Sequence, residues 1–143
     1  MSYRYLEDFA IADIAFEALG KDLEETFVAA ADATMNVMIE DLDSIEEREA
    51  RSIALQNEEA DMLLFDLLQE LIYYKDAEQL LLRVKNILIA ERNGRYNLHA
   101  SAVGERLDPD RHQQRADVKA VTLHHFTLER TTKGWRALAI LDT

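Results

Sequence analysis

No cysteine occurs among the 143 residues, which excludes disulfides, thiolate catalysis and Cys-ligated zinc. Proline appears once and glycine four times, too few for a linker or a disordered tail, and with 48% hydrophobic residues the composition is that of a folded domain. No apolar run approaches the roughly 20 residues that cross a bilayer. The opening Met1-Ser2-Tyr3-Arg4-Tyr5 lacks the apolar core of a signal peptide, so a cytoplasmic protein without membrane contact is expected. Positive charge is also scarce. Sixteen basic residues against 28 acidic ones leave a formal charge of −12, a field that repels phosphate backbones. Direct nucleic-acid binding is therefore disfavoured, and a role in RNA metabolism would run through a protein partner that is itself basic.

Neither GxGxxG, GxxxxGK[ST] nor GxSxG is present, which leaves no phosphate-cradling loop and no nucleophile elbow. His99, His112 and the adjacent His124-His125 lack the i, i+4 spacing of a helical zinc site. An autonomous enzyme has no support in these patterns, and no catalytic residue is assigned. A length of 143 residues without internal repeats fits one domain over 1–143.

Strand formers Tyr3, Tyr5, Phe9, Ile11, Ile14 and Phe16 make residues 3–19 extended, up to Gly20. Asp22 then reads as an N-cap with Glu25 as its reciprocal partner, opening an amphipathic helix that ends near Asp41. Residues 44–56 suit a half-exposed strand, with helix as the rival. The segment 58–75 carries Leu63, Leu64, Leu67, Leu68, Leu71 and Ile72 and predicts a deeply buried helix. Residues 78–92, 95–103, 117–130 and 135–142 read as strands, with Asn93-Gly94 and Lys133-Gly134 as turns. The order predicts an α+β fold, two helices packed on a largely antiparallel sheet.

Three oxygen-bearing groups stand out as a candidate site. Asp142 and Thr143 set a side-chain carboxylate beside a terminal one, and Asp13 interrupts an apolar run where an unpaired charge is costly to bury. Calcium and other hard divalent cations favour such ligands. In the strand Val118–Phe126, period two places His124 with Val118, Ala120, Thr122 and Phe126, and Lys119 with His125 on the other face. His124 is then either a satisfied core residue or a supporting group for the site, and Lys119 a contact for phosphate or carboxylate. Gly104–His112, with charges of both signs around Pro109, reads as an exposed loop in which Asp108 and Asp110 make turns.

Ala12-Asp13-Ile14, Gly20–Phe27, Leu63–Leu71, Gly104-Glu105, the run Asp117-Val118-Lys119-Ala120-Val121-Thr122-Leu123-His124 and the closing Ile140-Leu141-Asp142-Thr143 resemble the archease family in order and spacing. The resemblance spans essentially the whole chain. It implies a small α+β accessory protein of the RtcB-type RNA ligase, promoting guanylylation of that ligase by GTP and its multiple turnover in tRNA splicing and RNA repair. GTP would be used by the ligase, not bound by this chain alone. An alternative role within the family is that of a chaperone for tRNA-modifying methyltransferases, and a further alternative is a generic protein-binding module. The family's metal ligands fall on Asp13, Asp142 and Thr143, a calcium-type site, with Lys119 and His124 in support. Two departures stand against the pattern: Ala10-Ile11 where many members carry His-Thr, and Leu67 where a Trp is common.

Overall fold

The computed structural model describes residues 1–7 and 13–143. The expectations for Phe9, Ala10 and Ile11 lie outside the described residues. The chain runs β1 (Ser2–Leu6), β2 (Asp13–Gly20), α1 (Leu23–Met38), β3 (Glu49–Asn57), α2 (Ala60–Glu78), β4 (Leu80–Arg92), β5 (Arg95–Arg106), β6 (Ala120–Thr131) and β7 (Gly134–Asp142). It forms two antiparallel sheets instead of one, ordered β1-β2-β7-β6 and β3-β5-β4.

The first helix starts where its sequence dictates. Asp22 Oδ1 accepts from the Glu25 amide at 2.8 Å, while the Glu25 carboxylate accepts from the Lys21 amide at 3.0 Å, one residue earlier than a reciprocal capping box would have it. The helix stops at Met38, short of Asp41, and Ile39 leaves in extended conformation to bridge Gln114.

Both helices touch both sheets: α1 packs on β1, β2 and β7 and also on β4, and α2 packs on β6 as well as β3, β4 and β5. One buried cluster accordingly draws on Phe16, Phe27, Met35, Leu67, Leu82 and Leu141 from all these layers. The six buried side chains of α2 are Leu63, Leu64, Leu67, Leu68, Leu71 and Ile72, each worth roughly 1.5–3 kcal/mol in transfer from water. The helix is nevertheless one-sided, for Tyr73 is 59% exposed.

Two expectations need correction. Gly104–His112 is an exposed loop only in part: the turn at Asp108–Arg111 is exposed at Pro109, Asp110 and Arg111, but β5 continues to Arg106, and Glu105 and His112 are both buried, because a cluster of donors gathers around the Glu105 carboxylate. Nor does period two hold through β6. Thr122 pairs with Ile140 and Thr127 with Leu138, so four residues of β6 oppose a single residue of β7. This wide bulge carries Leu123, His124 and His125 into solvent and leaves His125 at φ 57°. His124 is therefore not a core histidine.

Candidate metal centre

Antiparallel pairing of β2 with β7 begins at the pair Asp13↔Asp142. On the other side of β7, Asp142 faces Ala120 of β6, and the Lys119 amide donates to the Asp142 carbonyl oxygen at 2.8 Å. The register joins residues more than a hundred positions apart. Directly opposed residues of antiparallel strands send their side chains to the same face, with Cβ atoms roughly 4.5–5.5 Å apart. Asp13 and Asp142 thus present two carboxylates side by side, both half-buried, with half-buried Thr143 next in the chain.

The face they share is the one turned away from the helices. Ile14, Phe16 and Ala18 of β2 and Ala137, Ala139 and Leu141 of β7 pack with the core cluster, so Asp13, Ala15 and Glu17 and their partners Asp142, Ile140 and Leu138 lie on the opposite face of the sheet, where Ala15, Glu17 and Ile140 are themselves buried. Further along, Glu17 is held by Arg4 Nε at 3.0 Å and by Arg136, whose hydrogen bonds outweigh burial and lower its pKa. Nature of the pairing differs between the two ends of the face: Glu17 has cations of the protein, whereas Asp13 and Asp142 face one another. Like charges directly opposed across a ladder are destabilising, and a divalent cation between them reverses that sign.

Among the described residues, no group of three or more His, Cys, Asp or Glu side chains gathers to hold a metal. A cation at Asp13 and Asp142 therefore needs further oxygen donors of another kind, which the backbone and hydroxyl oxygens of Thr143 fit chemically. Oxygen donors alone suit calcium or magnesium and disfavour zinc. Lys119 adjoins the pair through its backbone, with its side chain exposed. His124 stands on the bulge with its ring against that of His125, centroids 4.0 Å apart.

Two polar features escape the residue-pattern reading. Thr122 Oγ1 is buried without a hydrogen-bond partner. Glu105, 3% exposed, accepts from Arg111, from the Glu46 amide at 2.7 Å and from His112 at 3.0 Å. The Asp108 amide donates to His112 Nδ1 at 2.9 Å, which fixes the ring as the tautomer that donates from Nε2 to Glu105. Only the adjacency of Gly104 and Glu105 hinted at this cluster, since nothing in one sequence shows that Arg48, Arg111 and His112 converge.

The fold and the opposed carboxylates define a small α+β protein of two antiparallel sheets and two helices, with acidic oxygen donors at one sheet end. A sequence model of the Archease protein family (MTH1598/TM1083) matches residues 3–143, and the chain belongs to that family. It is 37% identical over 143 residues to the protein archease of Methanosarcina acetivorans, covering 98% of this chain and 94% of that one. It is 35% identical over 132 residues to that of Pyrococcus abyssi, covering 92% of each. The solution structure of Methanobacterium thermoautotrophicum protein 1598 superposes with a TM-score of 0.85 at 34% identity, covering 99% of this chain and 98% of that one. The crystal structure of a Thermotoga maritima archease, described as a possible chaperone, has a TM-score of 0.66 at 20% identity over 94% and 93% of the two chains, a likeness of fold.

Proposed function

We propose that this protein is a cytoplasmic accessory factor, without catalytic residues of its own, that promotes GTP-dependent guanylylation of an RtcB-type RNA ligase in tRNA splicing and RNA repair. The reading rests on family membership and on one observation, the Asp13↔Asp142 register that opposes two half-buried carboxylates on the sheet face turned away from the helices. Asp13, Asp142 and Thr143 would hold a calcium-type cation, which would supply positive charge for nucleotide phosphates. The chain's own residues orient that charge: the Lys119 amide fixes the Asp142 backbone, and the β2–β7 ladder fixes the spacing of the two carboxylates. The −12 field draws in a basic partner and keeps RNA itself off the surface.

The test is ligase guanylylation by GTP with wild type, Asp13→Ala and Asp142→Ala. Each variant is expected to lose stimulation by roughly tenfold or more, the scale on which metal-site substitutions act. Stimulation equal to wild type in both variants rejects the reading.

A further inference from the structure

Two side chains of α2 reach the backbone on either side of the residues that meet Asp142. The strand concerned, β6, stands at the edge of its sheet beside β7. From α2, Gln69 Oε1 accepts from the Val121 amide at 3.0 Å, and Lys75 Nζ donates to the Val118 carbonyl oxygen at 2.8 Å. Between these anchors lie Lys119, whose amide donates to the Asp142 carbonyl oxygen at 2.8 Å, and Ala120, the register partner of Asp142. The spacings agree. From Gln69 to Lys75 the helix rises about 9 Å, and from Val118 to Val121 an extended chain spans about 10 Å.

The chain entering β6 has no regular secondary structure over residues 115–119. The Arg115 and Ala116 amides donate to carbonyl oxygens of Met38 and Val37 at the end of α1, and Lys75 takes over at Asp117 and Val118. Its side chain is 13% exposed, whereas the Asp76 and Asp117 carboxylates that it also meets are 57% and 68% exposed, so water screens those ion pairs. The charged hydrogen bond to the Val118 carbonyl is then the restraint that counts. Burial lowers the pKa of Lys75, but its hydrogen bonds to Asp117 and Asp76 outweigh that and raise it, which keeps the amine a charged donor. Asp142 ends β7, and strand ends fray unless they are tied down. A carboxylate that faces another across a cation needs its backbone held to within about 0.5 Å.

Resting on the cation site of the proposed function, we infer that Gln69 and Lys75 are positioning residues for it: they clamp the Val118–Val121 segment and, through the Lys119 amide, hold Asp142 opposite Asp13. Neither side chain touches the ion. The helix whose leucines fill the core thereby sets the spacing of the two carboxylates.

Calcium titration by calorimetry, with amide hydrogen exchange of the metal-free protein beside it, tests this on wild type, Lys75→Met, Lys75→Arg, Gln69→Leu and Asp142→Asn. Methionine keeps an unbranched apolar stem and removes the donor. In Lys75→Met and Gln69→Leu the Lys119 amide should exchange about tenfold faster relative to that of Leu98, which is buried in the central strand β5, and calcium should bind about tenfold more weakly. Lys75→Arg retains a charged donor and should stay near wild type in both measurements. A purely structural role would speed exchange at Lys119 and Leu98 by the same factor and leave calcium affinity alone, which overturns the assignment. Unchanged calcium affinity in Lys75→Met and Gln69→Leu, with binding lost in Asp142→Asn, also overturns it and leaves the cation site standing. Calcium binding unaltered in Asp142→Asn removes the site itself, and this inference with it.

Discussion

At the scale of single residues, the carboxylate of Glu105 shows how a buried charge is retained in so acidic a chain. Arg111 donates to it, and this hydrogen bond, aided by the Glu46 amide and His112, outweighs burial and brings the pKa down from 4.5 to about 2. A folded-state value below the ordinary one means that the charged form favours folding. The stabilisation is complete above pH 4.5 and fades as pH falls toward 2. Glu105→Gln should cost about 2 kcal/mol at neutral pH, the scale of charged hydrogen bonds lost from a buried carboxylate whose arginine partners stay in contact with solvent, and should flatten the stability profile between pH 4.5 and 2. Chemical denaturation of both proteins across that range measures it; a variant that keeps the wild-type acid slope would show that other groups carry it. None of this was legible from sequence, where Gly104–His112 has the composition of a loop. Charges that look solvated along the chain become buried once distant Arg48 and nearby Arg111 close around one oxygen pair. Asp13 and Asp142 were legible for the opposite reason: an acid in an apolar run and an acid beside the final residue stand out without any knowledge of what they meet.

Among the elements, turn chemistry and strand lengths carried over well because they depend on local conformation. Asn93 and Gly94 take φ values of 55° and 75°, the pair of left-handed residues that a tight β4–β5 hairpin requires. The β6 bulge was illegible because period two assumes an unbroken ladder, and the four residues between Thr122 and Thr127 contain no glycine or proline to announce the break. That break is the reason His124 stands in solvent instead of on a packed strand face. The other end of β5 shows a constraint of backbone approach. A Cβ on Gly104 would lie 1.6 Å from the Leu81 carbonyl oxygen and 2.7 Å from its carbon, both main-chain atoms of β4 that cannot rotate away. Gly104→Ala should therefore part the β4–β5 ladder locally and destabilise the fold by about 3 kcal/mol or more, in the range of overpacked sites. A thermal midpoint within about 2 °C of wild type would mean the strands separate at little cost.

On the scale of the whole molecule, two sheets and two helices share a single core, and charge is left to govern what the surface meets. Twelve net negative charges set the sign of the potential, and a bound divalent cation would change the formal charge only from −12 to −10. A cation bound between Asp13 and Asp142, as proposed, would therefore act locally, and the approach of a partner would be governed by the remaining acids. If that partner is basic, as proposed for the ligase, association is steered by opposite potentials and slows as salt shortens their range from about 10 Å at 0.1 M to about 3 Å at 1 M. The association rate constant for the ligase is expected to fall by about tenfold or more between 50 and 500 mM NaCl, with the dissociation rate changing much less. Stopped-flow or surface-based kinetics separates the two. An association rate indifferent to salt would assign recognition to uncharged surface, and the acidic excess would then serve solubility alone.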